Sequence, residues 1–430
     1  MRYILLLKFS CFFLLCNCSS HKEAKQIIVL KHQTIDLGNE QIGFGGFLSY
    51  NNGVIIGIEM HPSMPPFFCF IPDESSQKFF YFGSKGRGPN EFIMPYSIQY
   101  IDEQTTGVFD VMSITYSEFN NPIQNETLTV NKKIQVRSSS SRIFKTAFNQ
   151  YIALSLNDEM FVLMDSTGVV VNTFFEYPYQ NSAERKLASR FFAYQGTLAT
   201  NPSKTKFAYS SFRGEIIHFY TIEKNNIESI RKIENEYPLY KEATDGNRGV
   251  IYDTQGRNGY IATYATEEYV YAIFSGETVL EQTKKRSINF EGHFLHIFDW
   301  NGFLIREYEL DLPCSYLCVS DDNNKIWAIA SIQDEITLVL FDLKNVIEKR
   351  QGIAIQKVNN SSEVQSPIPI KFSIEVRTKN GEQNSETKRI LDSIKRIPAH
   401  IALDISFNNR YNVQVDTIDN YTRKIVITLK

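Results

Sequence analysis

The sequence predicts a mainly β chain, a six-bladed β-propeller followed by a small α+β C-terminal domain. Aromatic residues are abundant, Tyr 23 and Phe 32, while Gly 22 and Pro 14 are ordinary, a balance that suits many strands better than a helical bundle. One unit of two strands joined by a polar turn returns along the chain. It reads FFCFIPDESSQKFFYFG (Phe67 to Gly83), GVFDVMSITYSEFN (Gly107 to Asn120) and MFVLMDSTGVVVNTFFEY (Met160 to Tyr177). It returns as IIHFYTIEKNNIESIRKIE (Ile216 to Glu234), FLHIFDWNGFLIREYELD (Phe294 to Asp311) and LVLFDLKNVIEKRQ (Leu338 to Gln351). Two further short runs precede most copies, as in TLATNPSKTKFAYSS and CSYLCVSDDNNKIWAIAS, so each unit holds about four strands. Successive copies lie about 40 to about 80 residues apart, the period of a propeller blade with insertions. A pair of β-sandwiches is the rival, but it does not predict six similar hairpins.

The elements in chain order support a division into five parts. MRYILLLKFSCFFLLCNCSS (Met1 to Ser20) places Arg2 and Lys8 ahead of an apolar core, Phe9 to Cys16, too short to span a bilayer, the pattern of an export signal over residues 1–17. Leu15-Cys16-Asn17-Cys18 resembles a bacterial lipobox with Asn17 in place of the usual small residue, so Cys18 is the expected lipidation site. Residues 18–25 read as a polar tether and 26–357 as the propeller. VNNSSEVQS (Val358 to Ser366) reads as a linker. Alternating apolar residues from Ile368, a helical face of Ile390, Leu391, Ile394 and Ile397, and three later strands make residues 367–430 a β-α-β-β-β domain.

Charge narrows the partners. With 45 Lys+Arg against 48 Asp+Glu the net charge is -3, which disfavours nucleic acid. Outside the signal region stand Cys69, Cys314 and Cys318, too few for a disulfide framework, and they read as small buried apolar residues.

FGSKGRGPNEF (Phe82 to Phe92) is the most distinctive segment. Gly83, Gly86 and Gly88 permit positive φ, and Pro89 fixes the chain before Glu91 and Phe92, giving a sharp charged loop. It lacks the Lys-Ser/Thr ending of a phosphate-binding loop. The segment is similar to the FGxxGxGPGEF signature of exported TolB-like six-bladed propeller lipoproteins of Bacteroidetes-type gut bacteria, with Asn90 where Gly is usual. YIATYATEEYVYAIFSG (Tyr260 to Gly276) and IREYELDLP (Ile305 to Pro313) fit the same family. The resemblance implies the propeller fold and a cell-envelope address, outer membrane included.

In a propeller the loops between blades share a rim with each blade's second-to-third-strand loop. On that rim Arg87, Glu91, Arg213, Glu215, Lys285 and Arg286 are the expected ligand-binding residues, the cations suiting a carboxylate, sulfate or phosphate. His293 and His296 read as loop and surface histidines, so neither metal nor cofactor is expected. No G-x-S-x-G or H-E-x-x-H occurs. The expected function is a lipid-anchored, non-catalytic binding protein for a ligand, glycan, peptide or envelope partner. The alternative is a propeller enzyme of lyase, hydrolase or cyclotransferase type acting on an anionic or glycan substrate, and a third option has the C-terminal sheet pairing its edge with a partner.

Overall fold

The computed structural model describes residues 27–72, 77–122, 128–243, 249–285 and 290–343, together with the C-terminal strands Lys371–Arg377, Tyr411–Asp419 and Thr422–Leu429. The signal segment, Cys18, Arg286, the linker and the predicted C-terminal helix lie outside these residues.

Six four-stranded antiparallel sheets follow one another, each running from an inner to an outer strand. Blade one is Gly45–Asn51, Val54–Glu59, Phe67–Ile71 and Lys78–Phe82; blade two is Pro95–Asp102, Thr105–Asp110, Thr115–Asn120 and Val130–Gln135. Blade three is Ser140–Lys145, Tyr151–Ser155, Glu159–Met164 and Val170–Glu176; blade four is Gly196–Thr200, Lys206–Ser211, Glu215–Glu223 and Asn226–Glu236. Blade five begins with Tyr260–Ala265, Tyr269–Phe274 and Gly292–Asp299, and the 16-residue strand Leu304–Val319 then serves as its outer strand and as the inner strand of blade six. Blade six continues with Lys325–Ile332 and Glu335–Asp342. The inner strands neighbour one another in a closed ring, one to two through six and back to one.

The ring closes through the N-terminal segment. His32–Thr34 pairs antiparallel with Val339–Phe341 and supplies the fourth strand of blade six, while Ile28–Leu30 runs parallel to Tyr308–Leu310 of blade five. Between the two, Asp311 accepts from the His32 backbone N–H at 3.0 Å and lies 3.6 Å from the Lys31 ammonium. This corrects the sixth expected hairpin: the outer partner of the Leu338 strand is a strand some three hundred residues earlier, because the short polar strand His32–Thr34 takes the blade's outer edge, whose N–H and carbonyl groups need partners. The second expected hairpin also shifts, since Gly107–Asn120 holds the second and third strands of its blade and not the third and fourth.

Burial follows position within each blade. Tyr151–Ser155 is buried at every residue, sandwiched between neighbouring sheets, whereas the outer strand Val170–Glu176 is mostly exposed. Cys69, Cys314 and Cys318 are buried and free, and burial pushes the Cys69 thiol up to about 12, so they act as apolar filling.

Two buried carboxylates fasten incoming loops to blades at equivalent places. Glu59, at the end of the second strand of blade one, accepts from the N–H groups of Gly43, Phe44 and His61 at 2.9, 2.7 and 2.7 Å. Asp110, at the same place in blade two, accepts from Ile93, Met94, Met112 and Ser113 at 2.6 to 3.0 Å. In both, the first two donors precede the blade's inner strand, so the acid fixes where that strand starts. Asp110→Ala strands these amides and is expected to cost about 2 to 4 kcal/mol, read as a lower urea midpoint at unchanged m value.

Between blades three and four, His218 is buried beside Tyr209 and Tyr220. Its Nε2 lies 3.0 Å from Glu234 and its Nδ1 2.9 Å from the Tyr220 hydroxyl, the arrangement of a neutral ring donating to the carboxylate. Burial lowers the His218 pKa. Burial alone raises that of Glu234, but hydrogen bonds from His218 and Tyr237 outweigh it and hold the carboxyl at about 2. Both folded-state values lie below the unfolded ones, so stability is present at high pH and is lost on acidification, for His218 below about pH 6.5 and for Glu234 below about pH 4. The urea midpoint should therefore fall from about pH 7.5 to about pH 5.5, and His218→Gln should flatten that dependence.

The described C-terminal strands form one sheet in which Lys371–Arg377 runs parallel, and Tyr411–Asp419 antiparallel, to Thr422–Leu429.

Candidate functional site

The inner strands enclose a cavity of about 190 Å³ on the propeller axis. Each blade contributes: Tyr50, Gln99, Phe144, Thr200, Tyr264 and Tyr316 line it in turn. Asn52, Glu103, Asn201 and Asp321, from loops joining first and second strands, stand at its mouth. The cavity opens on that side, opposite the rim formed by the loops between blades.

Much of the lining is already engaged in holding blades together. Gln99 Nε2 donates to the Lys145 carbonyl at 2.8 Å and to Thr200 Oγ1 at 3.0 Å, and its Oε1 accepts from the Lys145 N–H at 2.7 Å and the Tyr116 hydroxyl at 3.0 Å. That amide ties blades two, three and four. The Tyr264 hydroxyl of blade five meets the backbone N–H and carbonyl of Tyr50 in blade one at 3.3 and 3.4 Å. Asn201 accepts from the Thr205 and Lys206 N–H groups of its own loop and donates to Glu267 in the corresponding loop of blade five.

Other groups remain open to a ligand. The Tyr100 hydroxyl has no hydrogen-bond partner among the described residues, and burial raises its pKa. Asp321 lies at the mouth with its pKa raised by burial and then by Asp322 beside it. The Tyr50 ring is stacked on Trp327, centroids 5.3 Å apart at 12°, a rigid aromatic wall. Hydroxyl, carboxylate and flat ring around a small volume suit a compact polyhydroxylated ligand.

The residues expected from sequence lie elsewhere. Arg87 is exposed on its loop. Glu91 turns back to accept from the Gly88 N–H at 2.7 Å. Of the three glycines only Gly83 has positive φ, 80°; Gly86 and Gly88 leave room for the Glu91 carboxylate, which would lie 2.0 and 2.9 Å from a Cβ at those positions. Ser84–Lys85 pairs in parallel with Glu91–Phe92, closing the loop around Pro89, and Phe92 is buried against Phe67 at 4.9 Å.

Arg213 is buried, bonded to the Asn258 side chain and set over Tyr252 and Phe290 at 4.5 and 5.3 Å. Glu215 accepts from Asn235 at 3.0 Å, and burial raises its pKa. Lys285, at the end of the helix Val279–Lys285, pairs with Glu277. Arg213 and this helix are brought together through Asn258, which donates to Gln282 at 2.9 Å. None of the five described candidates is in the cavity wall. His296 corrects an expectation: it is buried, 3.2 Å from the Tyr260 hydroxyl, because its strand is sandwiched between blades. No metal-holding cluster of His, Cys, Asp and Glu occurs among the described residues, and no helix of theirs is long and apolar enough to cross a membrane.

Tyr100, Glu103 and Asp321 escaped sequence reasoning. A signal existed, since each falls at or just beyond the end of an inner strand, but using it requires knowing which strand of each blade is innermost.

Six four-stranded sheets closed around an axial cavity define a six-bladed β-propeller. The chain belongs to the TolB-like six-bladed propeller family, whose model matches residues 48–322. No curated protein matches the sequence. Among solved structures, a Bacteroides fragilis protein named as an exported one is 14% identical with a TM-score of 0.44, over 74% of this chain and 94% of the other. The calcium-binding protein regucalcin of Agrobacterium tumefaciens is 9% identical with a TM-score of 0.42, over 73% and 95%. A luciferin-regenerating enzyme is 7% identical with a TM-score of 0.42, over 76% and 99%.

Replacing Gln99 by Ala removes four inter-strand hydrogen bonds at once and is expected to destabilise the ring by about 3 kcal/mol, checked by urea denaturation.

Proposed function

We propose that this protein is a lipid-anchored cell-envelope propeller that binds a small polyhydroxylated ligand, such as a sugar, in its axial cavity without transforming it. The observation that carries the reading is the cavity mouth. There an unpartnered Tyr100 hydroxyl and the Asp321 carboxylate face a volume walled by the Tyr50 ring, while Gln99 and Tyr264 keep the wall rigid. A carboxylate accepts from two adjacent sugar hydroxyls, and a tyrosine presents both a ring face and a donor. The envelope address rests on the export signal and on Cys18, the expected acylation site.

The test titrates the full chain with D-glucose, D-galactose and cellobiose by calorimetry, beside Tyr100→Phe and Asp321→Asn. Binding of at least one sugar, weakened about tenfold or more by either substitution, supports the reading, since a hydrogen bond to a charged group is worth about 1.5 to 3 kcal/mol. Sugar binding indifferent to both variants would move the site elsewhere. Mass spectrometry of the membrane-extracted protein should find Cys18 as an acylated N-terminus, and an intact residue 1 would dismiss the anchor.

A further inference from the structure

Arg142 stands on the inner strand of blade three, two residues before the cavity-lining Phe144, and is 2% exposed. Its guanidinium lies 3.8 Å from the Tyr96 ring centroid, 4.9 Å from that of Phe47 and 5.7 Å from that of Phe212. Those rings belong to blades two and one and to the loop leaving the second strand of blade four, so the cation sits on the axis. Phe47 also lines the cavity, as does Tyr316, whose ring is 4.8 Å from it. Arg142 therefore lies beneath the cavity floor, at the end away from the mouth.

Its charge is uncompensated. Nη1 donates to the Ser141 carbonyl at 2.8 Å, Nε is buried without a partner, and among the described residues no carboxylate pairs with the side chain. Aromatic faces attract a guanidinium but do not neutralise it, and a buried cation is ordinarily paired. Glu103 and Asp321 at the mouth carry the opposite sign. The axis is thus positive at its floor and negative at its entrance, which orients any ligand having one anionic end.

We propose that the cavity takes a small polyhydroxylated acid, a hexuronate being the simplest of its class, with the carboxylate turned inward to Arg142 and the hydroxyls toward the mouth. This deepens the sugar-binding reading and rests on it. The two carboxylates at the mouth disfavour the reverse orientation, and the ligand carboxylate approaches the guanidinium from the side of the floor formed by Phe47.

The experiment compares D-glucuronate with D-glucose on the full chain by calorimetry, wild type beside Arg142→Gln and Arg142→Lys. Glucuronate should bind the wild type about tenfold or more tightly than glucose; the preference should vanish in Arg142→Gln and partly return in Arg142→Lys. Equal affinities in the wild type would overturn the acid and leave the sugar site standing, whereas binding of neither compound would overturn both. If Arg142→Gln fails to fold, wild-type crystals soaked in selenate decide. Anomalous density within hydrogen-bond reach of the guanidinium supports the site, and an empty axis dismisses it.

Discussion

A ring of sheets exists only if its last member finds its missing strand, and everything on the axis depends on that closure. Here three residues, His32 to Thr34, complete blade six, with Ile28 to Leu30 laid along blade five as a second fastening. Closure hides two sheet edges that would otherwise present unpaired N–H and carbonyl groups to solvent. It also sets the diameter of the ring of inner strands, and with it the size of the cavity they enclose. A few hydrogen bonds at the circumference thus determine geometry at the centre.

The centre is built from side chains with two duties. Gln99 and Tyr264 have spent their hydrogen-bonding capacity on neighbouring blades, so they define shape and offer a ligand little. The Tyr100 hydroxyl and the Asp321 carboxylate face the cavity, and Arg142 is fixed below it by aromatic faces with its Nε unpartnered, a preorganisation that spares a ligand the entropy of ordering its partners. On the opposite rim the balance differs: Glu91 fills its own loop, Lys285 pairs with Glu277 and Arg213 with Asn258, so charges that look free in sequence serve the fold.

What the sequence made legible was what is local. Phe67 to Gly83 and Met160 to Tyr177 alternate or run apolar around a polar turn, and both are hairpins because strand, turn and strand are contiguous. The closing strand was hidden because His32 to Thr34 is short and meets its partner only across the whole chain. Gly86 and Gly88 were recognisable as required, yet for the wrong reason: the need is room for Glu91 and not a left-handed backbone. Arg142 gave no signal at all, since one arginine among SSSSRIF reads as an outward-facing strand residue until five other blades surround it.

The strand Leu304–Val319 belongs to two blades without interruption. Elsewhere a loop joins one sheet to the next and can give way while both sheets keep their ladders. Here the join is itself strand, with Cys314 paired both to Gly292 of blade five and to Ala330 of blade six, and the N-terminal fastening spans the same pair. Blades five and six therefore constitute one cooperative unit, and in hydrogen exchange their amides would open together, with breathing of the ring left to the other, loop-linked seams.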